Sequence, residues 1–161
     1  TLPWLDHVFG RAERLVKMIN GKRVYSPNIY IGDNEYRLIA PDSNFGNYCF
    51  FTLDDPQNVD WVVGETSKYN APFSLIVWVD MRTIEQYDER DTEAVKRQIM
   101  RALNGEIWLR HGSVKVNKIY ERAENVFAGF TLDEIDNQFL MHPFCGWRFT
   151  GLMSVSDNCI E

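Results

Sequence analysis

The sequence predicts an α+β domain: a two-layer, mostly antiparallel sheet with an N-terminal helix and a second helix packed on one face. Three observations predict it. Leu5, Val8, Phe9, Ala12, Leu15, Val16 and Ile19 recur at three- and four-residue steps, the spacing of one helical face. Phe73 to Met81 is an almost unbroken β-branched and aromatic run, the strongest strand signal in the chain. Trp147, Phe149, Gly151, Met153 and Val155 alternate with Arg148, Thr150 and Leu152, the period of a strand.

The first helix is expected over Thr1–Asn20, with Pro3 tolerated in its first turn and Asn20-Gly21 as its stop. Arg11, Glu13, Arg14 and Lys17 would form its solvated face. Strands follow. Pro27 interrupts Val24-Tyr25 and points to an edge or a bulge, because proline cannot donate to a ladder. Ile29-Tyr30-Ile31, the turn residues Gly32-Asp33-Asn34 and Tyr36–Ile39 make a hairpin signature. Tyr48–Leu53 reads as a short strand covered on both faces. Asp54–Asn70 has no clear period, and a structureless stretch of that length in a compact domain is usually functional or mobile. Asp91 or Thr92 opens the second helix, with Val95, Ile99, Ala102 and Leu103 inward and Asn104-Gly105 as its end. Trp108 to Ile119 suggests extended chain around Gly112-Ser113, and Glu121 to Phe127 a helical turn.

A chain of 161 residues fits one domain, 1–161, and is long enough to bury a core unaided. Lys plus Arg is 17 against 23 Asp plus Glu, a net charge of -6. That balance argues against a non-specific nucleic-acid binder, which needs a basic stripe. Hydrophobic residues at 45% argue against intrinsic disorder. No apolar run approaches the ~20 residues of a membrane span, and no signal peptide is expected before Leu2. Cys49, Cys145 and Cys159 are odd in number and widely spaced. They read as free buried thiols that suit a reducing cytoplasm.

No phosphate-binding glycine loop with a following Lys-Ser or Lys-Thr is present, nor a G-x-S-x-G elbow, nor an H-E-x-x-H helix. His142, Cys145 and Cys159 lack the paired spacing of a zinc site. Asp80, Glu85, Asp133, Glu134 and Asp136 could supply a two-carboxylate site. A small metal-dependent hydrolase would need Asp80, Glu85 or Asp136 to converge with His142. Against that stands a simpler role for Asp80, a strand-ending residue that caps a loop. Alanine there would separate the two, abolishing metal binding in the first case and lowering stability in the second. No catalytic residue, cofactor or metal is therefore expected.

Aromatics at 14% carry more information. Trp78 and Trp147 sit in expected strands and read as core. Trp61 and Trp108 fall near breaks, and tryptophan there is enriched at protein interfaces. Trp61, Tyr69, Glu85, Trp108 and Arg110 are the candidate contact residues, with the Asp54–Asn70 loop and the Thr83–Arg90 connection as contact surfaces.

Three stretches together suggest a family. Ala71–Asp80, the helix Thr92–Ile99 and the closing run Asp136–Phe149 resemble small tail-completion or tail-terminator proteins of tailed bacteriophages, and of phages and prophages of Bacteroidetes. The expected order of N-terminal helix, hairpin, long strand, helix and last strand is similar to the terminator fold. The resemblance implies a non-enzymatic virion structural protein, assembled in the host cytoplasm. It would act in head-tail joining, capping the tail tube or joining tail to head. Such proteins usually work as a six-fold ring, so the implied partners are copies of itself, tail tube protein and head-tail connector proteins. No sequence-specific nucleic acid and no membrane are implied.

Overall fold

The structure, a computed structural model, describes residues 2–61, 68–104, 106–109, 112–133 and 135–156. It is mostly β. The strands are β1 (His7–Arg11), β2 (Glu13–Ile19), β3 (Lys22–Gly32), β4 (Glu35–Leu38), β5 (Tyr48–Leu53), β6 (Asn58–Asp60), β7 (Lys68–Asp80), β8 (Glu106–Leu109), β9 (Gly112–Tyr120) and β10 (Phe144–Ser156). The helices are α1 (Thr92–Leu103) and the single turn α2 (Ala123–Val126), with 3-10 turns at Met81–Thr83 and Asn137–Leu140.

The expected two-layer α+β fold with an N-terminal helix is overturned, because β1 and β2 occupy that segment. Gly10 adopts φ +78°, which no helix interior accepts. Asn20 and Gly21 adopt φ 50° and 75°. Two consecutive positive-φ residues between paired strands make the tight turn of a hairpin, and Asn-Gly is its preferred sequence. The expected helix stop is therefore the tip of a β-hairpin, with Ile19 opposite Lys22.

β1, β5, β7, β10, β9 and β8 follow one another in a seven-stranded sheet, and β6 pairs with the start of β7. Among the described residues only β1 and β5 run parallel. β7 and β10 pair over thirteen residues and form the centre. Both faces are covered. Val77 and Val79 of β7, with Trp147 and Phe149 of β10, pack against Val95 and Ile99 of α1 and against Trp4. Ile76 and Trp78 point the other way, onto Phe45, Ile39, Val126 and Phe127. The helix is set by Asp91, whose Oδ1 accepts from the Ala94 N–H at 3.1 Å, and by Asn104 in the left-handed conformation that ends it. Ala102, expected inward, is exposed.

β2, β3 and β4 form a separate ribbon. β2 pairs with Lys22–Asn28 of β3, whereas β4 pairs only from Asn28 onward. The ribbon is thus two hairpins sharing β3, with tips at Asn20-Gly21 and Asp33-Asn34, the latter again two positive-φ residues. Its middle is anchored. The Thr131 N–H donates to the Tyr25 carbonyl at 2.8 Å, and the Tyr25 N–H donates to Thr131 Oγ1 at 2.9 Å. The Ile39 N–H donates to the Pro27 carbonyl at 3.0 Å.

Pro27 was expected at an edge or a bulge, yet it lies in the middle strand. It accepts the last bond from the chain leaving β4 and has no N–H to return, so the ladder stops there. Pro72 repeats the device in β7, accepting from the Asp54 N–H just past β5 at 2.9 Å.

Candidate interaction surface

Sheet register places the predicted contact residues. Asn58, Asn70, Ser154, Ser113 and Trp108 stand opposite one another in a single row across five strands. Trp61 directly follows Asp60, the last residue of β6, which pairs with Lys68. Trp61, Tyr69 and Trp108 therefore gather at one end of the sheet, spread over about 19 Å at the usual strand spacing. Trp61 is 80% exposed and Trp108 76% exposed. Glu85 lies elsewhere. It follows the Met81–Thr83 turn at the other end of β7, thirteen residues or ~40 Å away. Arg110 falls outside the described residues, as do Glu134, Cys159 and residues 62–67 of the expected Asp54–Asn70 loop. The described part of that loop is not structureless, since it contains β6.

The Glu85 end of the sheet holds a groove of about 760 Å³. Asp80, Arg82 and His142 line it, and neither Glu85 nor Asp136 does. Arg82 donates through Nε to Asp80 Oδ1 at 3.0 Å and through Nη2 to Oδ2 at 2.8 Å. The Arg82 backbone N–H also donates to Oδ1 at 3.0 Å, so Asp80 caps the 3-10 turn. These hydrogen bonds, with the Arg82 charge, hold the Asp80 carboxyl below the usual carboxylate range. Asp136 is likewise engaged as a cap, accepting from the Gln138 N–H at 3.2 Å. Among the described residues no group of three or more His, Cys, Asp and Glu side chains is placed to hold a metal ion. Burial pushes the Cys49 thiol up to about 11 and the Cys145 thiol up to about 12. Both are therefore protonated, unreactive thiols at neutral pH.

Arg148 is a buried cation that nothing in the strand's alternation announces. Its Nε donates to Ser74 Oγ at 3.2 Å, and Nη1 donates to the carbonyls of Val126 and Ala128 at 3.2 and 3.0 Å. Asp54 Oδ2 lies 3.8 Å from Nη2. Burial lowers the Arg148 pKa from its usual value. The guanidinium ties the segment after α2 down onto the sheet, where Val126 and Phe127 complete the core.

The ribbon exposes apolar side chains that sequence reasoning missed. The first hairpin exposes Val16, Met18 and Ile19; the second exposes Tyr30, Ile31 and Tyr36. Neighbouring residues of a strand point to opposite faces, so Val16 and Met18 lie on one face and Ile19 on the other. An isolated two-stranded hairpin is marginal in water. The signal that could have found them is Asn20-Gly21 read as a hairpin turn.

Comparison with protein-family models, curated proteins and solved structures found no match.

Proposed function

We propose that this chain is an assembly subunit whose work is protein–protein contact, and that its setting is a virion. It would serve there as a tail-completion or tail-terminator protein, forming a ring that caps the tail tube or joins tail to head. The observation that carries the reading is the β2–β4 ribbon: two hairpins sharing one strand, fastened at the middle, with apolar side chains in water at both ends. Hairpin tips at the two ends of β3 let one copy touch two neighbours, which is what a head-to-tail ring requires. Trp61 and Trp108 at one end of the main sheet add a second surface, suited to a tail tube or a connector.

The virion setting itself comes from the sequence resemblance. Its three stretches correspond to β7, α1 and the segment from Asp136 into β10. The N-terminal helix that belonged to the expected element order is replaced by β1 and the ribbon.

The test is electron microscopy and light scattering of the full chain, alone and with a tail tube protein added. Closed rings, alone or on the tube, are the expected result. A particle that stays monomeric at high concentration in both conditions, with Trp61 fluorescence unchanged, overturns the proposal.

A further inference from the structure

The two tips of the ribbon carry opposite charge. Around the first turn stand Lys17, Lys22 and Arg23, with no carboxylate between Val16 and Tyr25. Around the second stand Asp33 and Glu35, with no cation between Ile29 and Tyr36. All five side chains are exposed, and among the described residues none takes part in an ion pair. At the roots Glu13 lies beside Tyr36, and the two nearest arginines rest on aromatic rings. The Arg37 guanidinium stacks over the Phe45 ring at 4.8 Å, and Arg14 lies over the Tyr25 ring at 4.0 Å. Neither neutralises a tip. In a chain of net charge -6, a tip with three cations and no acid is a local reversal of sign.

We propose that the basic tip of one copy docks on the acidic tip of the next. The occupant of each tip is thus a second copy of this chain, and the inference rests on the assembly reading above. Val16, Met18 and Ile19 would pack against Tyr30, Ile31 and Tyr36 while Lys17, Lys22 and Arg23 face Asp33 and Glu35. Like tips repel, so the charges disfavour any contact in which a tip meets the same tip of another copy. β3 separates the tips by its eleven residues, about 35 Å. A contact that joins two different surfaces leaves a free tip at each end until the chain of copies closes. The paired charges remain near the surface, so association weakens as salt rises.

The experiment uses two full-length variants. One carries Lys17→Glu, Lys22→Glu and Arg23→Glu, so both of its tips are acidic. The other carries Asp33→Lys and Glu35→Lys, so both are basic. Sedimentation velocity is run under the conditions where the unaltered chain assembles, with circular dichroism to confirm the fold. Each variant alone should need about tenfold more protein to assemble, and an equimolar mixture should recover, since opposite tips then face one another again. If either variant misfolds, glutamine at the same positions replaces the reversal, and weakened assembly remains the expected result. Unaltered assembly of both variants overturns the tip pairing while leaving the assembly reading standing. No recovery on mixing also overturns it. Failure of the unaltered chain to assemble, alone or on a tail tube, overturns both.

Discussion

In the seven-stranded sheet, β7 sends Val77 and Val79 onto α1 and Ile76 and Trp78 onto Val126 and Phe127. In the ribbon, β2 sends Val16 and Met18 to one face and Ile19 to the other, and all three meet water. Both strands carry apolar residues on two faces, and only one has cover. A strand that is apolar on both sides belongs inside an assembly of layers. The main sheet finds its layers within the chain, and under the proposed function the ribbon would find them in another copy. The difference separates residues whose loss should unfold the protein from residues whose loss, under the proposed function, should disconnect it.

The sharpest test of that separation is a pair of truncations. Trp147 is fully buried between α1 and the sheet, so Trp147→Ala should cost about 3–5 kcal/mol of folding stability. Met18 is 65% exposed, and Met18→Ala should cost less than about 0.5 kcal/mol. Denaturant unfolding at low protein concentration reads both. Equal losses would mean that the ribbon is part of the cooperative fold, and the distinction would break.

A smaller effect, of about 2–3 kcal/mol, is expected for Arg148→Met. The change leaves the Val126 and Ala128 carbonyls without their donor. Because this residue fastens one of the two layers, its loss should resemble that of Trp147 and leave assembly of the surviving folded protein unchanged. Light scattering after refolding checks this.

The main sheet and the β3–β4 hairpin were readable in outline and β2 was not, for a physical reason. Phe73–Met81 and the alternation after Phe144 have one covered arrangement open to them, and they became β7 and β10. Leu15 and Val16 lie on opposite faces of β2, as do Met18 and Ile19. With both faces apolar, the period of two vanishes and a spacing of three and four is left, which imitates a helix. Asn20-Gly21 was ambiguous in the same way, fitting a helix stop or a hairpin turn until the flanking strands were known. Of the expected contact residues, breaks in pattern singled out Trp61 and Trp108, but only the sheet register shows that they share an end, far from Glu85. Arg148 was hidden because its burial depends on carbonyls 20 and 22 residues away.

A local lesion in the ribbon should stay local. Gly21→Val forces a β-branched residue to φ +75°, a strain of about 1–2 kcal/mol. Hydrogen exchange should then show amides of Met18 to Arg23 opening about tenfold faster while the amides of β7 keep their protection. Faster exchange throughout β7 would show that the turn supports the whole fold.

The smallest effect lies at the far end of β7, where Asp80 both caps a turn and pairs with Arg82. Arg82 is more than half exposed, so the ion pair is screened and most of the effect should come from the cap. Asp80→Ala should cost about 1 kcal/mol. Asp80→Asn, which keeps an oxygen for the Arg82 N–H, should cost less than half of that. The Asp80 carboxyl titrates below its ordinary range in the folded chain. Its charge-dependent contribution is complete above an ordinary carboxylate pKa of about 3.9 and disappears as pH falls through the lower folded value. Unfolding curves of the unaltered chain and Asp80→Asn should differ at pH 7 and converge in acid. If the gap widened in acid instead, the carboxyl would be held protonated in the fold. Asp80 would then be a candidate proton donor in the groove with His142, and the contrast between a working surface and a purely structural far end would fail.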